Sequence, residues 1–164
     1  MFHRLRQGVR ALLVPADVAS PTALSNTPVT AAMFAVLAAH DRRHLTAVQA
    51  ACLASDLSDE VVSAGLLHDV AKASLSGRTV SVVDRSLHVI LGGLTPGLLS
   101  RLAEEPAGGV RLGFQLALHH PALGAGRLAA LGWPSPVTDL VRDHASPEPS
   151  AELAALQLID DATP

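Results

Sequence analysis

Histidines and acids recur inside stretches of this 164-residue chain that are otherwise apolar: His44, His68-Asp69, His119-His120, His144 and Asp160-Asp161. A buried carboxylate without a partner is costly, or shifts its pKa until it is neutral. Imidazoles and carboxylates gathered in a dry core would be unstable, and a divalent cation among them removes the conflict. Nitrogen and oxygen donors of this kind suit Mn, Fe, Co, Ni or Zn, so one or two such ions are the expected cofactors. On one helix His68 and Asp69 would differ by about 100° and face one pocket from neighbouring angles. Lys72, the only lysine, would lie one turn further along that face, where an ammonium could meet a substrate phosphate.

The residue types leave three choices open. His40 lies one turn before His44 and rivals it, His119 adjoins His120, and Asp161 adjoins Asp160. His144 could instead be a helix C-terminal histidine favoured by the dipole. Arg43, Arg127 and Arg142 flank these positions, but eleven of the twelve basic residues are arginine, so one near a motif is unremarkable. Cys52 reads as a small core residue, Trp133 as core or pocket wall, and His3 and His88 as structural or exposed.

Helices are the elements that must position these groups. Alanine and leucine dominate, and no long alternating β-branched run occurs. A first helix ends at Pro15, and residues 15–28 read as a connector. A second helical region breaks near His40–Arg42 and runs from Arg43 to Ala54. Ser58 caps a helix continuing to Lys72, with Asp59 and Glu60 in its first turn. Residues 78–91 are helical in pattern and stop at Gly92-Gly93. Thr95-Pro96 opens the next helix. One follows over Gly109–His119, another from Pro121 to Gly132, another from Ser135-Pro136 to His144, and Ser150 caps the last.

Composition narrows the function. The formal charge of −3 and four aromatic residues (Phe2, Phe34, Phe114 and Trp133) argue against a nucleic-acid platform. The run over residues 31–39 falls well short of the ~20 apolar residues that span a bilayer. One cysteine fits a reducing compartment, and a cytoplasmic location is expected. The apolar content, 49%, points to a further buried interface such as a homodimer.

His44, the pair His68-Asp69 within LLHDVAK, and Asp160 together resemble the H…HD…D signature of the HD-domain metal-dependent phosphohydrolases. The later stretch HHPALGAGRLAALGWPSPVTDLVRDH resembles the H-P-x-x-G…G-x-P…H segment of relatives with a two-metal site. The resemblance implies an all-α fold, a single HD-domain helical bundle over residues 31–164 preceded by an N-terminal helix and connector over 1–30. It implies that His44, His68, Asp69 and Asp160 hold one metal, that Asp69 bridges, and that His120 and His144 hold a second. Lys72 matches the lysine of an H-D-x-G-K variant, with Ala71 replacing the glycine. The implied activity is hydrolysis of a nucleotide or related phosphate ester or anhydride by a metal-activated water, with Asp69 and Lys72 as catalytic residues. A di-iron oxygenase and a non-catalytic helical sensor are the alternative readings. His119-His120 and Leu131-Gly132-Trp133-Pro134 are also similar to the HH…GYP motif of cyclic dinucleotide phosphodiesterases, but the tryptophan and the longer gap depart from it.

Overall fold

The computed structural model describes residues 28–73, 80, 90–93, 96–103 and 110–163. Among these residues every regular element is helical and none is a strand, so the fold is all-α. The elements are α1 (Pro28–Ala35), α2 (Ala39–Ala54), α3 (Asp59–Leu67), a 3-10 turn (Val70–Lys72), α4 (Pro96–Ala103), α5 (Val110–Ala130), α6 (Ser135–Asp143) and α7 (Ala151–Ala162). The helix expected before Pro15 lies outside the described residues. Of the segment expected over 78–91 only residues 90–91 are described with regular structure, and the helix there includes Gly92 and Gly93, the expected stop.

Central to the core is α3, which packs against α2, α6 and α7, while α5 packs against α6 and the 3-10 turn. The buried face of α2, Asp41, Leu45, Val48, Gln49 and Cys52, follows the 3.6-residue period. It meets Val61, Ala64, Leu66 and Leu67 of α3, Leu140 and Val141 of α6, and Leu153 and Leu156 of α7 in one cluster. Gly65 permits a close approach, since a Cβ there would lie 3.2 Å from Cys52 Sγ.

Three boundaries differ from the sequence expectation by more than one residue, each for a local reason. The break before α2 falls at residues 36–38, and His40–Arg42 form its first turn. The Arg42 guanidinium is what closes α1, donating to the carbonyls of Ala35 (3.1 Å) and Leu37 (2.5 Å). Second, α3 stops at Leu67 and does not reach Lys72. Its start is the expected one, with Ser58 Oγ accepting from Val61 N. Its end coincides with a bond from His68 Nδ1 to the Gly65 carbonyl at 3.0 Å, the acceptor a continuing helix would offer to Asp69 N–H. Asp69 therefore sits at a junction between α-helix and 3-10 turn, with φ −104° and ψ 8°.

The third difference is the largest. The two helices expected on either side of Pro121 are one 21-residue helix, α5, with Pro121 inside it. Proline removes the N–H that would bond Ala117 O. That carbonyl is taken instead by His120 Nδ1 at 3.1 Å. At its end Gly132, at φ +82°, supplies the left-handed residue of a Schellman stop, with Trp133 N bonded to Leu128 O and Gly132 N to Ala129 O. In α6, Pro134 is the N-cap and Ser135 the first helical residue, one position from the expected cap. Ser150 caps α7, accepting from Leu153 N at 3.3 Å.

Candidate metal centre

Five of the helices, α2, α3, α5, α6 and α7, deliver polar groups to the end of α3. Along α7, Leu153 and Leu156 define the buried stripe, and Asp160 continues it four residues on, while Asp161 is exposed. His44 lies one turn before Val48 on α2. His68 caps the end of α3, and Asp69 follows it. His120 comes from the middle of α5 and His144 from the end of α6. Gly124, one turn after His120, keeps those two helices close: a Cβ there would meet Val141 Cγ1 at 3.3 Å and Ala71 Cβ at 3.6 Å.

Asp69 joins two groups of ligand atoms that could each hold a metal ion, His44–His68–Asp69 and Asp69–His120–His144, with the atoms of each within 4.8 Å of one another. Its two oxygens divide the work. Oδ2 lies 3.6 Å from His68 Nε2, while Oδ1 lies 3.1 Å from His120 Nε2 and 3.7 Å from His144 Nε2. Asp160 Oδ1 completes the first group, 2.7 Å from His44 Nε2 and 3.4 Å from His68 Nε2. The imidazoles form a chain, with ring centroids 5.8 Å apart for His44–His68 and 5.1 Å for both His68–His144 and His120–His144; the first two pairs stand edge to face and the third is tilted.

Ring orientation follows from the backbone. His68, His120 and His144 each bond through Nδ1 to the carbonyl three residues earlier, Gly65, Ala117 and Val141. A carbonyl only accepts, so Nδ1 carries the proton and Nε2 turns toward Asp69. Metal-ligating imidazoles are commonly fixed in this way. Gln157 steadies the end of α6 by donating to the carbonyls of His144 (3.0 Å) and Ser146 (2.9 Å). His44 differs, since its Nε2 pairs with Asp160 Oδ1.

The electrostatics are those of a site short of positive charge. Burial alone would raise Asp69, but Lys72 first, then His68 and His120, hold it well below the usual carboxylate range. Asp160 is lowered too: burial opposes this, and the bond to His44 together with the nearby His68 imidazole outweighs it. Burial pushes His68 down, yet Asp69 and Asp160 leave it raised above 6.5. Burial lowers His144 to about 4, only partly offset by Asp69. Lys72 forms an ion pair with Asp69 Oδ2 and is partly exposed.

A divalent ion fits this donor set. His68 Nε2 is fully buried, makes no hydrogen bond among the described residues, and faces two carboxylates. Such an orphaned atom is costly unless something ligates it. Four imidazoles and two carboxylates supply borderline donors for a first-row ion.

The rival residues fall elsewhere. His40 pairs with Asp41 Oδ1 at 3.4 Å, away from both groups, and His119 is exposed. Asp41 is a buried carboxylate the sequence reading did not single out, and its place on the apolar stripe of α2 was the available signal. The carbonyls of Gly65, Ala117 and Val141 carry no side-chain signature, so no residue pattern could have marked them. A groove lined by Asp139, Asp143, Glu148 and Glu152 shares no residue with the centre. Among the described residues no helix is long and apolar enough to cross a membrane. In comparison with known proteins, no family model, curated protein or solved structure matches the chain.

Proposed function

We propose that this chain is a metal-dependent phosphohydrolase of the HD-domain type, acting on a nucleotide or a related phosphate ester or anhydride. The observation that carries the reading is Asp69, whose Oδ2 lies beside His68 and whose Oδ1 lies beside His120 and His144. A carboxylate so placed suits a pair of divalent ions better than one. His44, His68, Asp69 and Asp160 would hold one ion, and Asp69, His120 and His144 the other. Bound divalent ions supply a water of lowered pKa and draw charge from phosphoryl oxygens.

The protein's own groups do the rest. The Nδ1 bonds of His68, His120 and His144 fix three rings before any ion arrives, so little order is lost on loading. Leu66, Leu67 and Val141, which adjoin these groups in sequence or hold one of their bonds, belong to the buried apolar core. Lys72 sits at the rim with its ammonium on Asp69, close enough to offer its charge to a phosphoryl oxygen where negative charge develops. That cation favours an anionic substrate over dioxygen, so hydrolysis ranks above the di-iron oxygenase reading. Trp133, partly buried, donates to Thr30 Oγ1 at 3.2 Å and packs on the core, so its indole is already engaged within the fold. Phosphate, more than base, would then be the handle for recognition.

The test is a panel assay. Protein loaded separately with Mn, Fe, Co, Ni or Zn is given nucleoside mono- and triphosphates, cyclic nucleotides and dinucleoside polyphosphates, and phosphate release and product identity are measured. Turnover with at least one ion is expected. No turnover with any ion across the panel would refute the phosphohydrolase reading, and oxygen consumption by the iron form would replace it.

A further inference from the structure

Three of the four histidines in the centre share one device. In an α-helix the carbonyl three residues before a given position is claimed by the N–H one residue after it. For His68, His120 and His144 those carbonyls belong to Gly65, Ala117 and Val141, and the claimants are Asp69, Pro121 and Ala145. Each carbonyl accepts the imidazole Nδ1–H at 2.8–3.1 Å. At His68 and His144 the claimant is removed because the helix ends, at Leu67 and Asp143. At His120 the helix continues for ten more residues, to Ala130, so termination cannot free the carbonyl. Pro121 has no N–H to offer.

We infer that Pro121 is a positioning residue for the centre: by withholding its N–H inside α5 it leaves the Ala117 carbonyl to His120, which aims Nε2 at Asp69 Oδ1. Helix interiors disfavour proline strongly, and α5 tolerates it beside the one side chain able to satisfy the vacated acceptor. The inference rests on the metal-centre part of the reading above and does not depend on the reaction. It concerns three consecutive features of one helix: a carbonyl, a ring and a missing donor.

Pro121→Ala restores the N–H, which then competes for Ala117 O. A carbonyl can accept two bonds, so the expected effect is a weakening. Loss of an outer hydrogen bond to a ligating histidine typically costs 10- to 100-fold in metal affinity, and sharing should fall near the lower figure, about tenfold. Zn2+ affinity is measured by competition titration on the full chain, alongside the melting temperature of the metal-free protein. The variant should melt no lower than wild type yet bind one Zn2+ equivalent about tenfold more weakly. In the Zn2+-loaded variant the His120 Nδ1–H proton should exchange faster than in Zn2+-loaded wild type. Lactic acid incorporated at position 121 lacks both ring and N–H, and it should keep wild-type affinity.

A purely structural role for the proline predicts the opposite pairing, with stability and affinity moving together. Unchanged Zn2+ affinity and unchanged Nδ1–H exchange in Pro121→Ala overturn the inference. So does weakened binding in the lactic acid variant, which would assign the effect to the ring. Wild-type protein that binds no Zn2+ would instead refute the metal-centre reading itself, an outcome distinct from these.

Discussion

Asp69→Asn separates a shared metal centre from a hydrogen-bonded polar cluster. The substitution conserves shape but replaces one oxygen with an NH2 donor and removes the charge. Because Oδ2 faces His68 and Oδ1 faces His120 and His144, either orientation of the amide aims a non-ligating NH2 at one group. The other group keeps a neutral oxygen in place of an anion. In wild type, ion at 100 times its Kd stabilises the fold by about 2.7 kcal/mol per site. For a domain of this size each kcal/mol moves the midpoint by roughly 2–4 °C. One ion should therefore raise the melting temperature by roughly 5–11 °C, and two by about twice that. In the variant the rise should fall below about 3 °C at the same concentration. The metal-free variant should itself be destabilised by ~3 kcal/mol, because Lys72 and His68 lose the buried anion they face. The comparison is thus the metal-induced shift within each protein, read by scanning calorimetry with Zn2+ or Mn2+ and with chelator. A shift in Asp69→Asn equal to that of wild type would refute the bridging role.

Further outcomes follow from the same geometry. In the metal-free protein His144, lowered to about 4, stays neutral while its unfolded counterpart takes up a proton, so stability falls by up to about 3 kcal/mol as pH drops from 6.5 to 4. His68 is raised above 6.5, so the stability it contributes is present at low pH and is lost as pH rises through its folded value. Chemical denaturation of the chelated protein should therefore give a maximum near pH 6.5, and a flat profile from pH 5 to 8 would contradict both shifts. Gly124→Val would drive side-chain carbons into Val141 and Ala71; it should cost about 1–3 kcal/mol in urea unfolding and weaken Zn2+ binding, because His120 and His144 ride on the two helices it separates. Lys72→Met should leave one or two ions bound by metal analysis while lowering phosphate release by about 10²-fold, and undiminished turnover would remove Lys72 from the catalytic set.

How much of this was readable before folding depends on whether propensity and capping rules express the cause. The start of α3 at Ser58, the stop at Gly132 and the cap at Ser150 are set by residues within one turn, and they sit where propensity and capping chemistry put them. The end of α3 and the continuity of α5 went the other way. In each case a histidine side chain bonds a backbone carbonyl, changing which N–H the helix needs. Pro121 would ordinarily break a helix, and beside His120 it does not.

The sequence by itself determined that the chain is helical, that imidazoles and acids occur in its apolar stretches, and that Lys72 follows His68-Asp69 by about one turn. Those are matters of residue type and short spacing. Only the tertiary structure decided that His44 and not His40, His120 and not His119, Asp160 and not Asp161 converge, and that one carboxylate faces both sets. His119 and His120, like Asp160 and Asp161, differ by about 100° around a helix, and which points inward is fixed by the stripe that helix buries; His40 and His44 share one side of α2 a turn apart, and the packing of α7 on α2 puts Asp160 beside the second. Packing across more than a hundred residues of chain, from His44 to Asp160, closes the centre, and no local rule carries that information.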